Sequence, residues 1–406
     1  MRQTVVIGGG ASGMTAAIFA AREGDQVTLL EHTDVLGKKL LSTGNGRCNL
    51  TNRFQEPSCY HSENEGFPLP ALRQFGYRET LQFFGGLGLF FKDRAGYLYP
   101  RSLQSLAVRE ALLLELSRLG VDTRTNCVVK EIKTENGRFL VRTRDTSFAA
   151  DAVVLACGGK AAPATGSDGS GYELACLLGH RVILPVPALT GLFASPNPLK
   201  KAAGVRADGT VSLYVGEKEK KLMGEDTGEL QITDYGISGI PAFQVSRYAS
   251  RALAEGKMVQ ARLNFLSEYE KREAKEILHQ VFDRAGDCFQ NLCGLFPEKL
   301  SAVFMKKSGL PVHIPSERLE KRKKQQLSEL ICSFPLDITA VNDFSRAQVT
   351  AGGINTDDVW PETMESRLLP GLYFAGEVLD VDGNCGGYNL QWAWTSGFLA
   401  GKQGRL

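Results

Sequence analysis

The run Thr4-Val5-Val6-Ile7, Gly8-Gly9-Gly10-Ala11-Ser12-Gly13, Met14-Thr15-Ala16-Ala17 constrains this chain more than any other feature. β-Branched residues, a G-x-G-x-x-G spacing and then small helix formers predict a strand, a tight turn and a helix start. Gly8 permits the sharp exit from the strand. Gly10 lets the backbone approach a pyrophosphate, and Gly13 lets the helix pack closely on the strand. Free N–H groups at the helix start, around Ala11 and Ser12, offer a positive dipole end to phosphates. A second apolar run, 26–30, ends at Glu31, whose carboxylate can accept hydrogen bonds from both ribose hydroxyls. An acid there favours an unphosphorylated ribose, hence FAD or NAD over NADP.

The loop 37–52 is rich in glycine, asparagine and hydroxyls, and it is too long for an idle connection. Its cations Lys38, Lys39 and Arg47, with many backbone N–H groups, suit a pyrophosphate facing the first helix. Residues 70–87 read as helix, and 89–101 as a hairpin around Asp93-Arg94-Ala95-Gly96. A helix follows from a Ser102 cap, with Leu106, Leu112, Leu113, Leu116 and Leu119 on its apolar side and Arg109, Glu110, Glu115 and Arg118 on its wet side. Strands are expected at 128–132 and 139–144. Residues 151–157 form a buried parallel strand that delivers Ala156, Gly158 and Gly159 to a cofactor.

From about residue 185 prolines break the chain, and short β-rich runs to 265 suggest a small barrel or sandwich. Residues 268–330 are helical in pattern, and β-like character returns at 336–350. The end of the chain repeats the logic of its start. Gly371-Leu372-Tyr373-Phe374-Ala375-Gly376-Glu377 is a strand ending in an acid. Gly386-Gly387-Tyr388-Asn389-Leu390-Gln391-Trp392-Ala393-Trp394 is a glycine turn opening an apolar helix. This reading gives an α/β chain with a discontinuous Rossmann-like domain, 1–188 and 349–406, interrupted by an insert. No second fingerprint followed by an acid occurs, so one dinucleotide held by both ends of the chain is FAD-like.

Net charge of +2 gives no reason to invoke nucleic acid or an anionic membrane. The nine cysteines are scattered without a C-x-x-C, indicating neither a disulfide framework nor zinc, so a reducing cytoplasm is expected. Neither a secretion signal nor an apolar run long enough to span a membrane is expected.

Together, the first glycine run, the Asn45-Gly46-Arg47-Cys48-Asn49-Leu50-Thr51-Asn52 core of the loop, Val349-Thr350-Ala351-Gly352-Gly353-Ile354 and the C-terminal motifs resemble the BaiN-like (YhiN-like) flavoproteins. These are also called aminoacetone oxidase family FAD-binding enzymes or NAD(P)/FAD-dependent oxidoreductases. The resemblance implies a two-dinucleotide-binding-type FAD domain with a β-barrel-like insert, 189–267 and 331–348, and a small helical insert, 268–330. It implies that Glu31, with His32 beside it, holds the adenosine ribose, and that residues 8–13 with Lys38 and Lys39 hold the pyrophosphate. Val129 is expected near the adenine, and Gly376 and Glu377 near the ribityl chain. Asn45, Gly46, Arg47, Cys48 and Asn49 join the cofactor-binding set. So do Gly387, Asn389, Leu390 and Gln391, where a helix N-terminus faces the N1–C2=O edge of the flavin and raises its potential.

Two side chains are catalytic candidates. The cation of Arg47 is expected to lower the pKa of Cys48, which with Cys385 could form a redox pair, and Tyr388 could donate a proton. The expected activity is FAD-dependent reduction of an activated C=C bond in an enone-type, steroid-like small molecule, with NADH or NADPH as transient electron donor. The alternatives are a peroxide-forming amine oxidase, a flavin-binding redox sensor and an RNA-modification flavoprotein. No metal site is expected, and the oligomeric state is left open.

Overall fold

The computed structural model describes residues 1–217 and 219–405. The chain forms two compact units, Met1–Pro185 with Gln348–Leu406, and Val186–Ala347. The first unit is built on a parallel sheet of five strands in the order Leu372–Phe374, Ala152–Leu155, Gln3–Ile7, Gln26–Leu30, Asp122–Arg124. Its central strands are apolar on both faces, as a sheet covered on both sides requires. The first helix, Ala11–Arg22, packs between this sheet and the last helix, Tyr388–Lys402.

Glycine sets how closely those two helices approach. A Cβ at Gly397 would fall 2.5 Å from the Ser12 carbonyl oxygen, and one at Gly401 2.5 Å from that of Ala16. Gly13 closes the other side of the first helix, where a Cβ would fall 1.8 Å from the Gly8 oxygen. A three-stranded meander, Val129–Glu135, Arg138–Thr143 and Ser147–Ala150, turns through Asn136 and Gly137, both left-handed.

Local differences from the sequence reading have local causes. The 70–87 helix is two helices, Pro68–Gln74 and Tyr77–Gly86, because Glu79 caps the backbone N–H of Gly76 and starts a new one. The helix expected from Ser102 begins later, at Ser105–Arg118. Its Leu106 is exposed, whereas Glu115 is buried between Arg22 and Arg118.

In the second unit six antiparallel strands close a barrel in the order Leu192–Ala194, Gly236–Gly239, Lys221–Ile232, Arg206–Val215, Val259–Asn264, Phe334–Val341. The helix Ile240–Ala254, not anticipated from the sequence, packs on the barrel through Ala242, Val245 and Ala249. The helices Lys271–Asp283, Cys288–Cys293, Glu298–Lys307 and Lys321–Cys332 share one hydrophobic core with the barrel through Phe265, Phe304 and Phe334. No helix among the described residues is long and apolar enough to cross a membrane.

Candidate functional site

A cavity of about 1230 Å³ opens at the carboxyl ends of the parallel strands in the first unit, where an open α/β sheet binds its ligands. Ile7, Leu30 and Ala156 mark the ends of three adjacent strands on its wall. Gly8, Gly10, Ala11 and Ser12 bring the start of the first helix to it. That helix has neither a capping side chain nor an acid in its first turn, so its end is left to an external anion. Gly10 has ordinary extended geometry, and a Cβ there would meet nothing within 4 Å.

Glu31 is buried at the rim. Its Oε2 accepts from the Gly9 N–H at 2.7 Å and its Oε1 from the Thr33 N–H at 2.8 Å. These bonds aim the carboxylate and leave further lone pairs for ribose hydroxyls. Lys38 and Lys39 both line the cavity. Lys39 Nζ, however, lies 2.7 Å from Glu377 Oε2, while Glu377 Oε1 accepts from the Thr350 N–H at 3.0 Å. Asn389 and Leu390 bring the start of the last helix to the same cavity. Asn389 is fixed by a reciprocal pair of bonds with the Gly383 backbone, each 2.8 Å. His32, Val129 and Gly158 complete the expected residues on this wall.

The unanticipated wall is the segment Thr165, Gly166, Ser167 and Ser170, with Thr33, Cys127, Leu174, Gln348 and Val381. The turn-rich composition of 163–171, directly after a parallel strand, was the available signal. A Cβ on Gly166 would lie 2.9 Å from Thr33 Cγ2 and 3.2 Å from His32 Nε2, so this segment closes over the Glu31 end.

Other expected residues lie off the cavity wall. Gly13, Gly159, Gly376 and Gly387 serve close packing: a Cβ on Gly376 would fall 2.4 Å from Ser12 Oγ, and one on Gly387 2.9 Å from Asn49 Oδ1. Asn45, Gly46 and Arg47 form a turn with left-handed Asn45 and Gly46.

Three expectations are corrected. Cys48 is fully buried, and desolvation pushes its thiol up to about 12, outweighing any effect of the Arg47 cation. It is a packed thiol rather than a poised nucleophile. Tyr388 is buried edge-on against Tyr60, at 5.7 Å between ring centroids, and burial and Cys59 raise its pKa. Gln391 is wholly buried and every hydrogen-bonding position of its amide is used. Its oxygen accepts from Thr51 and Thr80, and its nitrogen donates to the Phe75 carbonyl and to Thr395. It therefore bolts the last helix to the rest of the unit.

The donor set fits FAD. There is an uncapped helix N-terminus beside a glycine with open space, an oriented carboxylate one strand away, and a second helix start farther along the same cavity. Among the described residues no group of side chains could hold a metal ion.

The family model for the HI0933-like protein Rossmann domain matches residues 2–403. The chain is 47% identical over 406 residues to the 3-dehydro-bile acid delta(4,6)-reductase of Clostridium scindens, covering 99% of this chain and 98% of that protein. It is 28% identical over 409 residues to the ribosomal RNA dihydrouridine synthase of Escherichia coli K12, covering 98% and 96%. Among solved structures it is similar to the 3-ketosteroid-delta4-(5alpha)-dehydrogenase of Rhodococcus jostii RHA1, at 17% identity and a TM-score of 0.45, over 98% of this chain and 96% of that one.

Proposed function

We infer the activity from one premise: this chain belongs to the HI0933-like Rossmann family. It is an oxidoreductase that carries FAD. We propose that it reduces an activated C=C bond of a steroid-like enone, with NADH or NADPH as the electron donor. The observation that carries this reading is the 47% identity, over nearly the whole of both chains, to a reductase of a 3-dehydro-bile acid.

When bound, FAD supplies the two-electron chemistry. The chain supplies the rest. Glu31 would hold the ribose, and the first turn of the first helix, around Gly10 and Ala11, would hold the pyrophosphate. The start of the last helix, at Asn389 and Leu390, presents a positive dipole end where negative charge develops on reduction. The apolar side chains of Leu174, Val381 and Trp392 exclude water from the same cavity and strengthen that interaction.

Anaerobic mixing of the holoprotein with NADH or NADPH, followed by 4-androstene-3,17-dione, tests both parts. Loss of the oxidised flavin absorbance and its return on adding the enone are expected. A flavin that stays oxidised removes the nicotinamide donor. A chemically reduced protein that the enone does not reoxidise removes the substrate class.

The dihydrouridine synthase relative supports a second reading, reduction of a base in RNA. Reoxidation by an unmodified ribosomal RNA fragment, with the steroid inert, would favour it.

A further inference from the structure

We propose that Phe54 and Tyr97 form an aromatic shelf that selects a flat, fused-ring substrate beside the start of the last helix. This rests on the enone-reductase reading and names the surface that chooses among enones. Both rings are large and exposed, 61% for Phe54 and 39% for Tyr97, yet both are seated on backbone. A Cβ on Gly96 would fall 2.6 Å from the Phe54 ring, and one on Gly386 would fall 2.7 Å from the Tyr97 ring. Both glycines have positive φ, 92° and 128°, so the close seats depend on glycine.

One buried side chain ties the shelf to the helix start. Asn52 donates from Nδ2 to the Gly386 carbonyl at 3.0 Å, and its Oδ1 accepts from the Phe54 N–H at 3.0 Å. Gly386 lies three residues before Asn389, which lines the cofactor cavity. The hairpin Phe91–Arg94 and Tyr97–Pro100, paired with Thr51–Asn52, gives Tyr97 a rigid base.

The arrangement has three properties of a recognition surface rather than of a core. The rings face solvent, glycines and a dedicated amide fix them, and they adjoin the cavity at its helix-start end. A fused, planar ring system has the extended apolar face that such rings bury well, whereas a single small ring reaches little of it.

The test uses the holoprotein, reduced with dithionite under anaerobic conditions and mixed with 4-androstene-3,17-dione or with cyclohex-2-enone. Return of the flavin absorbance gives the half-saturating concentration and the limiting rate for each. In Phe54→Ala and in the double variant with Tyr97→Leu, half-saturation by the steroid is expected to rise about ten-fold. Its limiting rate, all cyclohexenone parameters and FAD content are expected to hold. Tyr97→Phe, which keeps the ring, is expected to match the wild type. Unchanged steroid binding in Phe54→Ala, whose exposed ring can be removed without disturbing the core, overturns the shelf. So does an equal loss with both enones. Failure of the wild type to react with either enone overturns the underlying reading instead, and the shelf with it.

Discussion

Replacing Gly397 by alanine tests whether the contact between the first and last helices sets the cofactor geometry. The new Cβ would sit 2.5 Å from the Ser12 carbonyl oxygen and 2.9 Å from Thr15 Cβ. Ordinary contact begins near 3.4 Å, so the helices must separate by about 0.9 Å. Overpacking of that kind costs about 1–3 kcal/mol. Replacing a helical glycine by alanine returns about 1 kcal/mol, which leaves a net loss of about 0–2 kcal/mol and a Tm lower by at most about 8 °C.

The larger effect falls on FAD. Ser12, the residue pushed, lines the cavity in the first turn of the first helix. A shift approaching 1 Å there misplaces the N–H groups that face the pyrophosphate, and the FAD Kd is expected to rise at least about ten-fold. Flavin fluorescence on titration of the apoprotein gives the Kd, and thermal unfolding with and without FAD gives the stability. Gly86→Ala is the control, since its Cβ would meet nothing within 4 Å and its Tm is expected to hold or rise. A Gly397→Ala protein that binds FAD as tightly as the wild type would refute the reasoning.

Three further outcomes follow from the same geometry. Gly10→Ala, whose Cβ meets only open space, is expected to leave apoprotein unfolding unchanged while weakening FAD binding; Gly13→Ala, with a Cβ 1.8 Å from the Gly8 oxygen, is expected to destabilise the apoprotein itself. Burial pushes both Cys48 and Cys157 up to about 12, so neither should be alkylated by iodoacetamide at neutral pH in the folded protein, as peptide mapping would show. Arg118, and then Arg22, hold Glu115 down at about 2, so its stabilisation is full above the ordinary value of 4.5 and lost as pH falls toward 2. Glu115→Gln should flatten the acid limb of stability against pH over that window in denaturant titrations.

The sequence alone determined the elements whose signal is local. Thr4 to Gly13 reads as strand, turn and helix because β-branched alternation and a glycine spacing are written within ten residues, and Glu31 follows at the end of the next apolar run. The C-terminal strand, acid and glycine turn are legible for the same reason, and so is the join of both chain ends in one α/β domain. Tertiary docking decided the rest. No period in the chain says that Lys39 meets Glu377, that Glu115 is buried between two arginines, or that the amide of Gln391 is consumed by Thr51, Thr80 and Phe75. These pairings depend on how closely helices approach. The approach is set by glycines such as Gly397 and Gly401, whose meaning appears only when the facing backbone of Ser12 and Ala16 is in place. Cys48 shows the same limit: its neighbour in sequence is a cation, but its surroundings in space are apolar, and burial rather than adjacency governs its proton.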